Sequence, residues 1–270
     1  MGATDVSGDH NIAIGNDTAN AITTGFQNIA IGLDSYGAAT TGCVNIAIGI
    51  TAMGTGVTTG SDNIGIGRNA ANSLTSGACN LALGNKSMTD VQTGCFNIAI
   101  GNCSFSNAAT GRSNIAIGET TYANLTSGNY NIGIGHGTNN QVNTGCRNIG
   151  IGLCAGLGVN TGKCNIGIGV SALGGGANNV SGENNVGLGA RSGLRLSSGN
   201  QNIAIGFCAG ECVTSGTQTV AIGFRAGSDG EVIFGTDDNK IHLDEIAIVR
   251  MSPIDNFNHD SEQEQNLSLI

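Results

Sequence analysis

Asn97-Ile98-Ala99-Ile100-Gly101 is one of thirteen near-copies of a five-residue run that recurs along most of the chain. The opening Asn falls at Asn11, Asn28, Asn45, Asn63, Asn80, Asn97, Asn114, Asn131, Asn148, Asn165, Asn185 and Asn202, and Thr219 takes its place in the thirteenth copy. The steps are 17 residues, except 18 into Asn63 and 20 into Asn185. Strict recurrence at a short period marks a solenoid, in which each repeat buries its apolar face on its neighbours. The expected fold is therefore an all-β parallel β-solenoid of about 13 coils.

Numbering each coil from its Asn as position 0 extends the pattern to [ST]-G-x-x-N-[ILV]-[AG]-[IL]-G-x-x-[AST]. Large residues at +1 and +3 point to one face of a strand, and the Ala or Gly between them points to the other. The Ile pair is expected to fill the column, and the small residue to face outward and admit a neighbouring chain. The Ser/Thr-Gly pair and the Gly at +4 mark two chain reversals, because Gly tolerates positive φ. A second, shorter strand is expected near the small residue at +7. The Asn residues should stack into a ladder, each amide bonding the coils above and below it.

The composition suits such an object and little else. Of 270 residues 46 are Gly and only 4% are aromatic, too few for a thick core. Residues 1–227 carry nine acids and eight bases, whereas residues 228–270 carry ten acids and two bases. The repeat body is nearly neutral and has no basic stripe for phosphates, so no nucleic-acid partner is expected. No apolar run approaches the roughly 20 residues of a membrane helix, so no membrane insertion is expected. Residues 1–10 lack the basic start and apolar stretch of a signal peptide. Release without such a signal, as by lysis, or a leader already removed, is expected instead.

The chain divides into a repeat rod (1–227), a C-terminal cap (228–250) and an acidic tail (251–270). Strand-like runs at 231–234 and 245–249, with a turn at 236–239, suit a unit that covers the last open edge. The two long steps place their extra residues between the small residue and the Ser/Thr-Gly turn, on one face of the solenoid. The larger insertion makes Gly174, Gly175, Gly176, Ala177, Asn178 and Asn179 a candidate contact loop.

One column of such coils is thin. Burying an Ile contributes roughly 1.5–3 kcal/mol, while ordering each residue costs about 1–2 kcal/mol of backbone entropy. Association of several columns along the small face is expected, most simply as a parallel homotrimer. The runs Thr-Gly-x-x-Asn-Ile-Ala-Ile-Gly-x-x-Ala resemble repeats of bacteriophage tail fibres and tail spikes. They are also similar to the head of trimeric autotransporter adhesins. The resemblance covers residues 7–227 and implies a left-handed β-roll, a homotrimer and a rigid, surface-displayed attachment rod. Adhesins add a coiled-coil stalk and a membrane-anchor barrel, and many phage fibres add a C-terminal chaperone domain. None of these is found in the chain, which suggests a fragment, a cleaved product or a stand-alone segment.

Chemistry-bearing residues follow the repeat rather than a site. Cys43, Cys95 and Cys146 stand at −2, Cys79 and Cys164 at −1, Cys103, Cys154 and Cys208 at +6, and Cys212 alone. No Cys-x-x-Cys occurs, so a zinc site has no support. Cys79 with Cys95 and Cys146 with Cys164 are offset by one, which points them to opposite faces. We read the cysteines as small, partly buried apolar residues. His10, His136, His242 and His259 occupy different repeat positions, and Gly133-Ile134-Gly135 is repeat grammar rather than a nucleotide loop. Calcium nonapeptides, a nucleophile elbow and a complete Thr array for ice are all missing. A hexapeptide acyltransferase solenoid would need three Ile-Gly units per coil instead of one. No cofactor, metal or enzymatic activity is expected. The expectation is a tail-fibre or adhesin-type rod on a virion or cell surface, touching a host receptor or glycan. The alternative is an extracellular filament subunit stacking end to end.

Overall fold

The computed structural model of the chain describes residues 8–107, 110–156, 158–174, 181–227 and 241–243. It is an all-β parallel β-solenoid with about 17 residues per coil, and no helix occurs among the described residues. Each Ile-Ala-Ile run forms a three-residue strand, from β1 (Ile12–Ile14) through β3 (Ile46–Ile48) and β4 (Ile64–Ile66) to β13 (Val220–Ile222). A fourteenth strand, β14 (Ile241–Leu243), continues the ladder, and the rest of the expected cap and the tail lie outside the described residues. Every strand pairs only with its neighbours in sequence; from β1 to β13 equivalent repeat positions face each other, as Ile98 opposite Ile115 and Ala99 opposite Ala116, whereas β14 sets His242 opposite Ala221.

The two faces of the strand are the reverse of the expectation. Ala47, Ala82, Ala99 and Ala116 are fully buried, while the flanking Ile, Leu or Val side chains are half-buried or exposed. The interior is too narrow for anything else at +2. A Cβ added to Gly133 would lie 2.6 Å from the Tyr122 ring, and one added to Gly65 would lie 3.1 Å from Cε of Met53.

The bulk of the core comes from positions +8 and +11. Tyr36, Met53, Met88, Phe105 and Tyr122 fill it from +8; Leu74, Val91, Leu125 and Val142 fill it from +11. In several coils the two trade volume, as Ala19 with Ile22, Tyr36 with Ala39, Ala71 with Leu74 and Gly193 with Leu196, whereas Met88 with Val91 and Tyr122 with Leu125 are bulky at both positions. Close packing favours such compensation, and above the Tyr122 ring it is the next coil that gives way, with Gly133 at +2.

No second strand forms near +7; the chain there turns, through left-handed residues. Thr51 and Met53 have φ of 51° and 47°, and the same positions, +6 and +8, are left-handed in coil after coil. The turn remains hydrogen bonded along the axis, because alternate amides point up and down. Thr51 N donates to Leu33 O of the coil before (2.9 Å), and Met53 N donates to Ala70 O of the coil after (2.9 Å). The +4 position needs Gly outright: Gly101 has φ of 133°, and a Cβ there would meet the carbonyl oxygen of Gly118 at 2.5 Å.

Candidate functional site

The Asn column lies inside the rod. Asn131 Nδ2 donates to Asn114 Oδ1 (3.1 Å) and to the Gly145 carbonyl of the next coil (2.8 Å). Its Oδ1 accepts from the backbone N–H of Asn148 at 2.9 Å. The same pattern links Asn11 to Asn202, and Thr219 N closes it on Asn202 Oδ1 at 2.9 Å. It also crosses both long coils, with Asn63 Nδ2 on Asn45 Oδ1 (3.0 Å) and Asn185 Nδ2 on Asn165 Oδ1 (2.9 Å). From Asn28 to Asn202 these amides are buried and hydrogen bonded on both sides; they hold coil to coil and have nothing left for a ligand.

What the rod presents is the outer sheet face. Strand alternation turns positions −1, +1, +3 and +5 outward, giving four columns that run the length of the sheet. The +1 and +3 columns are Ile, Leu or Val in every coil, with Ile14 59% and Ile222 40% exposed. At about 4.8 Å per strand the face is on the order of 60 Å long. Soluble monomers rarely expose contiguous apolar patches beyond a few hundred Å².

The +5 column is segmented. Leu33 and Ile50 are followed by Arg68, Asn85, Asn102, Glu119 and His136, and then by Leu153, Val170, Ala190, Phe207 and Phe224. The polar block is wired along the axis: Arg68 Nε donates to Asn85 Oδ1 (3.2 Å), and Asn85 Nδ2 to Asn102 Oδ1 (2.9 Å). Asn102 Nδ2 reaches Glu119 Oε1 (3.4 Å), whose other oxygen lies 3.9 Å from His136 Nε2. Above it Phe207 and Phe224 stack with centroids 5.5 Å apart. At −1, Phe96 carries the Arg112 guanidinium 5.6 Å from its ring centroid.

The remaining candidates do not converge. Gly174 donates its N–H to Ser171 O at 3.0 Å, and Gly175, Gly176, Ala177, Asn178 and Asn179 lie outside the described residues. None of the nine cysteines is in a disulfide; Cys208 is buried, and that burial pushes its thiol pKa up, away from thiolate chemistry. Among the described residues no group of three or more His, Cys, Asp or Glu is placed to hold a metal. The interior space beside Leu173, Leu196 and Val213 amounts to about 10 Å³, room for one water at most. An open polar depression by Glu183, Asn200 and Gln201 lies beside the longest coil.

Sequence reasoning missed the outer face because it placed the Ile pair inside. The signal that would have found it was the exchange of volume between +8 and +11. Bulky residues supplied from the turn side leave no room for two Ile per coil as well. No protein-family model, no curated protein and no solved structure matches the chain.

Proposed function

We propose that the chain is a structural rod of an attachment fibre: a parallel homotrimer, non-enzymatic, displayed on a virion or cell surface. Its ends or loops meet a host receptor or glycan, and residues 228–250 close the sheet. The observation that carries this reading is the unbroken outer column of Ile, Leu and Val at +1 and +3. An apolar ladder of this length repeats with the coil, so the surface that covers it at every level needs the same axial repeat. A second and third copy of the chain supply it. The subunits therefore meet through the Ile face, not through the Ala/Gly face.

The test is the mass in solution. Light scattering of the purified chain should give about three times 26.9 kDa. Ile117→Lys, which places a charge in the middle of the face, should return it to one chain with its β circular dichroism intact. A wild-type mass of 26.9 kDa removes the trimer. Electron micrographs showing long fibres instead of short rods favour the end-stacking filament.

A further inference from the structure

We infer that the polar depression beside the coils of Asn185, Asn202 and Thr219 is a binding site for a neutral sugar, held through its hydroxyls by Glu183, Asn184, Ser198, Asn200 and Gln201. The inference rests on the attachment reading of the previous subsection, which it supplies with a site.

The depression adjoins the step of 20 residues from Asn165 to Asn185 and measures about 570 Å³. Ligand clefts run from roughly 300 to 1,000 Å³. The sequence singles out the same place. Positions −2 and −1 repeatedly hold apolar residues in the earlier coils, among them Phe26, Val44, Phe96 and Cys164. In the last three coils they are Glu183 and Asn184, Asn200 and Gln201, and Thr217 and Gln218. Every one of these carries a carboxylate, an amide or a hydroxyl.

The chain uses only part of this capacity. Asn200 Oδ1 accepts the backbone N–H of Glu183 at 2.8 Å, and Gln201 Oε1 accepts from Gln218 Nε2 at 3.3 Å. Both amides are thereby oriented with an NH2 group to spare. Glu183 Oε1 lies 3.4 Å from Lys163 Nζ, which leaves Oε2 as an acceptor. Asn184, Ser181 and Ser198 add an amide and two hydroxyls, all exposed.

Donors and acceptors are therefore mixed over one concave surface. A sugar ring matches it, because each of its hydroxyls both donates and accepts. An anion would compete for Lys163, which is already paired with Glu183. An apolar ligand meets only polar side chains on the wall. An extended peptide would add to a free strand edge, and here β13 and the two strands before it are paired on both sides. The −2 and −4 residues belong to the turn that precedes the strand, so copies meeting through the Ile columns leave them in solvent. A trimer carries three such sites on one rigid rod, which compensates by avidity for weak single sites.

Saturation-transfer NMR on the full chain tests this, with neutral trisaccharides of glucose, galactose, mannose and N-acetylglucosamine as probes. They are supplied at roughly 10 mM, because a few exposed hydrogen bonds support an affinity of only about 1 mM. At least one should receive saturation. The double variant Asn184→Ala, Gln201→Ala should bind it at least about tenfold more weakly, with unchanged circular dichroism, since two exposed hydrogen-bonding groups are lost. Asn85→Ala, at the other edge of the sheet face, should bind as the wild type does. Silence from every neutral sugar, an unchanged response in the double variant, an equal loss in Asn85→Ala, or stronger binding of trigalacturonate overturns the site. A trimer that binds none of the sugars leaves the rod of the previous subsection standing, and a monomer that binds one keeps the site and removes the trimer.

Discussion

Asn131 shows what a single residue does in this fold. Its amide is held by Asn114 and Gly145, and it receives the backbone of Asn148, at a fully buried position. Asn131→Ala should cost about 3–5 kcal/mol, because it strands a buried carbonyl and a buried N–H at once. Urea titration followed by circular dichroism measures it, and a loss under 1 kcal/mol would sink the role given to the ladder. Left-handed residues carry a cost of the opposite kind. Thr120 is β-branched, partly buried and held at φ of 52°, whereas the same position in the next coil is Gly137 at φ of 63°. A β-branched residue in this region is strained by roughly 1–2 kcal/mol, more than the entropy that Gly adds to the unfolded chain. Thr120→Gly should raise the unfolding free energy by about 0.5–1 kcal/mol, and a fall instead would show that the turn is not strained there.

At the scale of the coil, the strand's inner residue answers to the bulk that the preceding coil sends beneath it. Gly133 lies on the Tyr122 ring, and Gly65 lies on the terminal methyl of Met53. Gly133→Ala should therefore destabilise by about 1–3 kcal/mol, since a rigid ring cannot give way. Gly65→Ala should cost visibly less, because a thioether can swing aside. Thermal melts of the two variants side by side decide this, and equal losses would contradict it. The strand itself was legible in Ile98-Ala99-Ile100, and so was the repeat, since both rest on spacing alone. The inward face was not, because alternation of large and small fits either orientation until the far wall is known. The far wall was written in pairs such as Tyr36 with Ala39 and Ala71 with Leu74. The left-handed turns were harder still. Tyr36 and Met53 give no hint of positive φ, and it is Gly156, Gly193, Gly210 and Gly227 at the same +8 position that betray it.

For the molecule as a whole, the interior couples stability to alkaline pH. Two of the three tyrosines, Tyr36 and Tyr122, are fully buried. Burial pushes both phenols well above the usual value near 10, and hydrogen bonds to Asn45 and Asn139 offset this only in part. Below pH 10 the phenols are protonated in both states, so this part of the stability is fully present. Above it the unfolded chain releases protons that the rod retains, and stability falls by about 1.4 kcal/mol per pH unit for each tyrosine. Tyrosinate absorbance from these two residues should appear together with the loss of circular dichroism; ionisation with the rod intact would count against their burial. One consequence of the ladder concerns the rate at which the rod forms. Parallel sheets ordinarily fold slowly, because partner strands are far apart in sequence. Here each strand finds its partner one coil away, so Ile98 pairs with Ile115 across 17 residues of a 270-residue chain. That is a relative separation of roughly 0.06, at the low end even for helical bundles. A nucleus can start at any coil and grow in both directions, so a protein made wholly of parallel strands should fold with the speed of one made of helices.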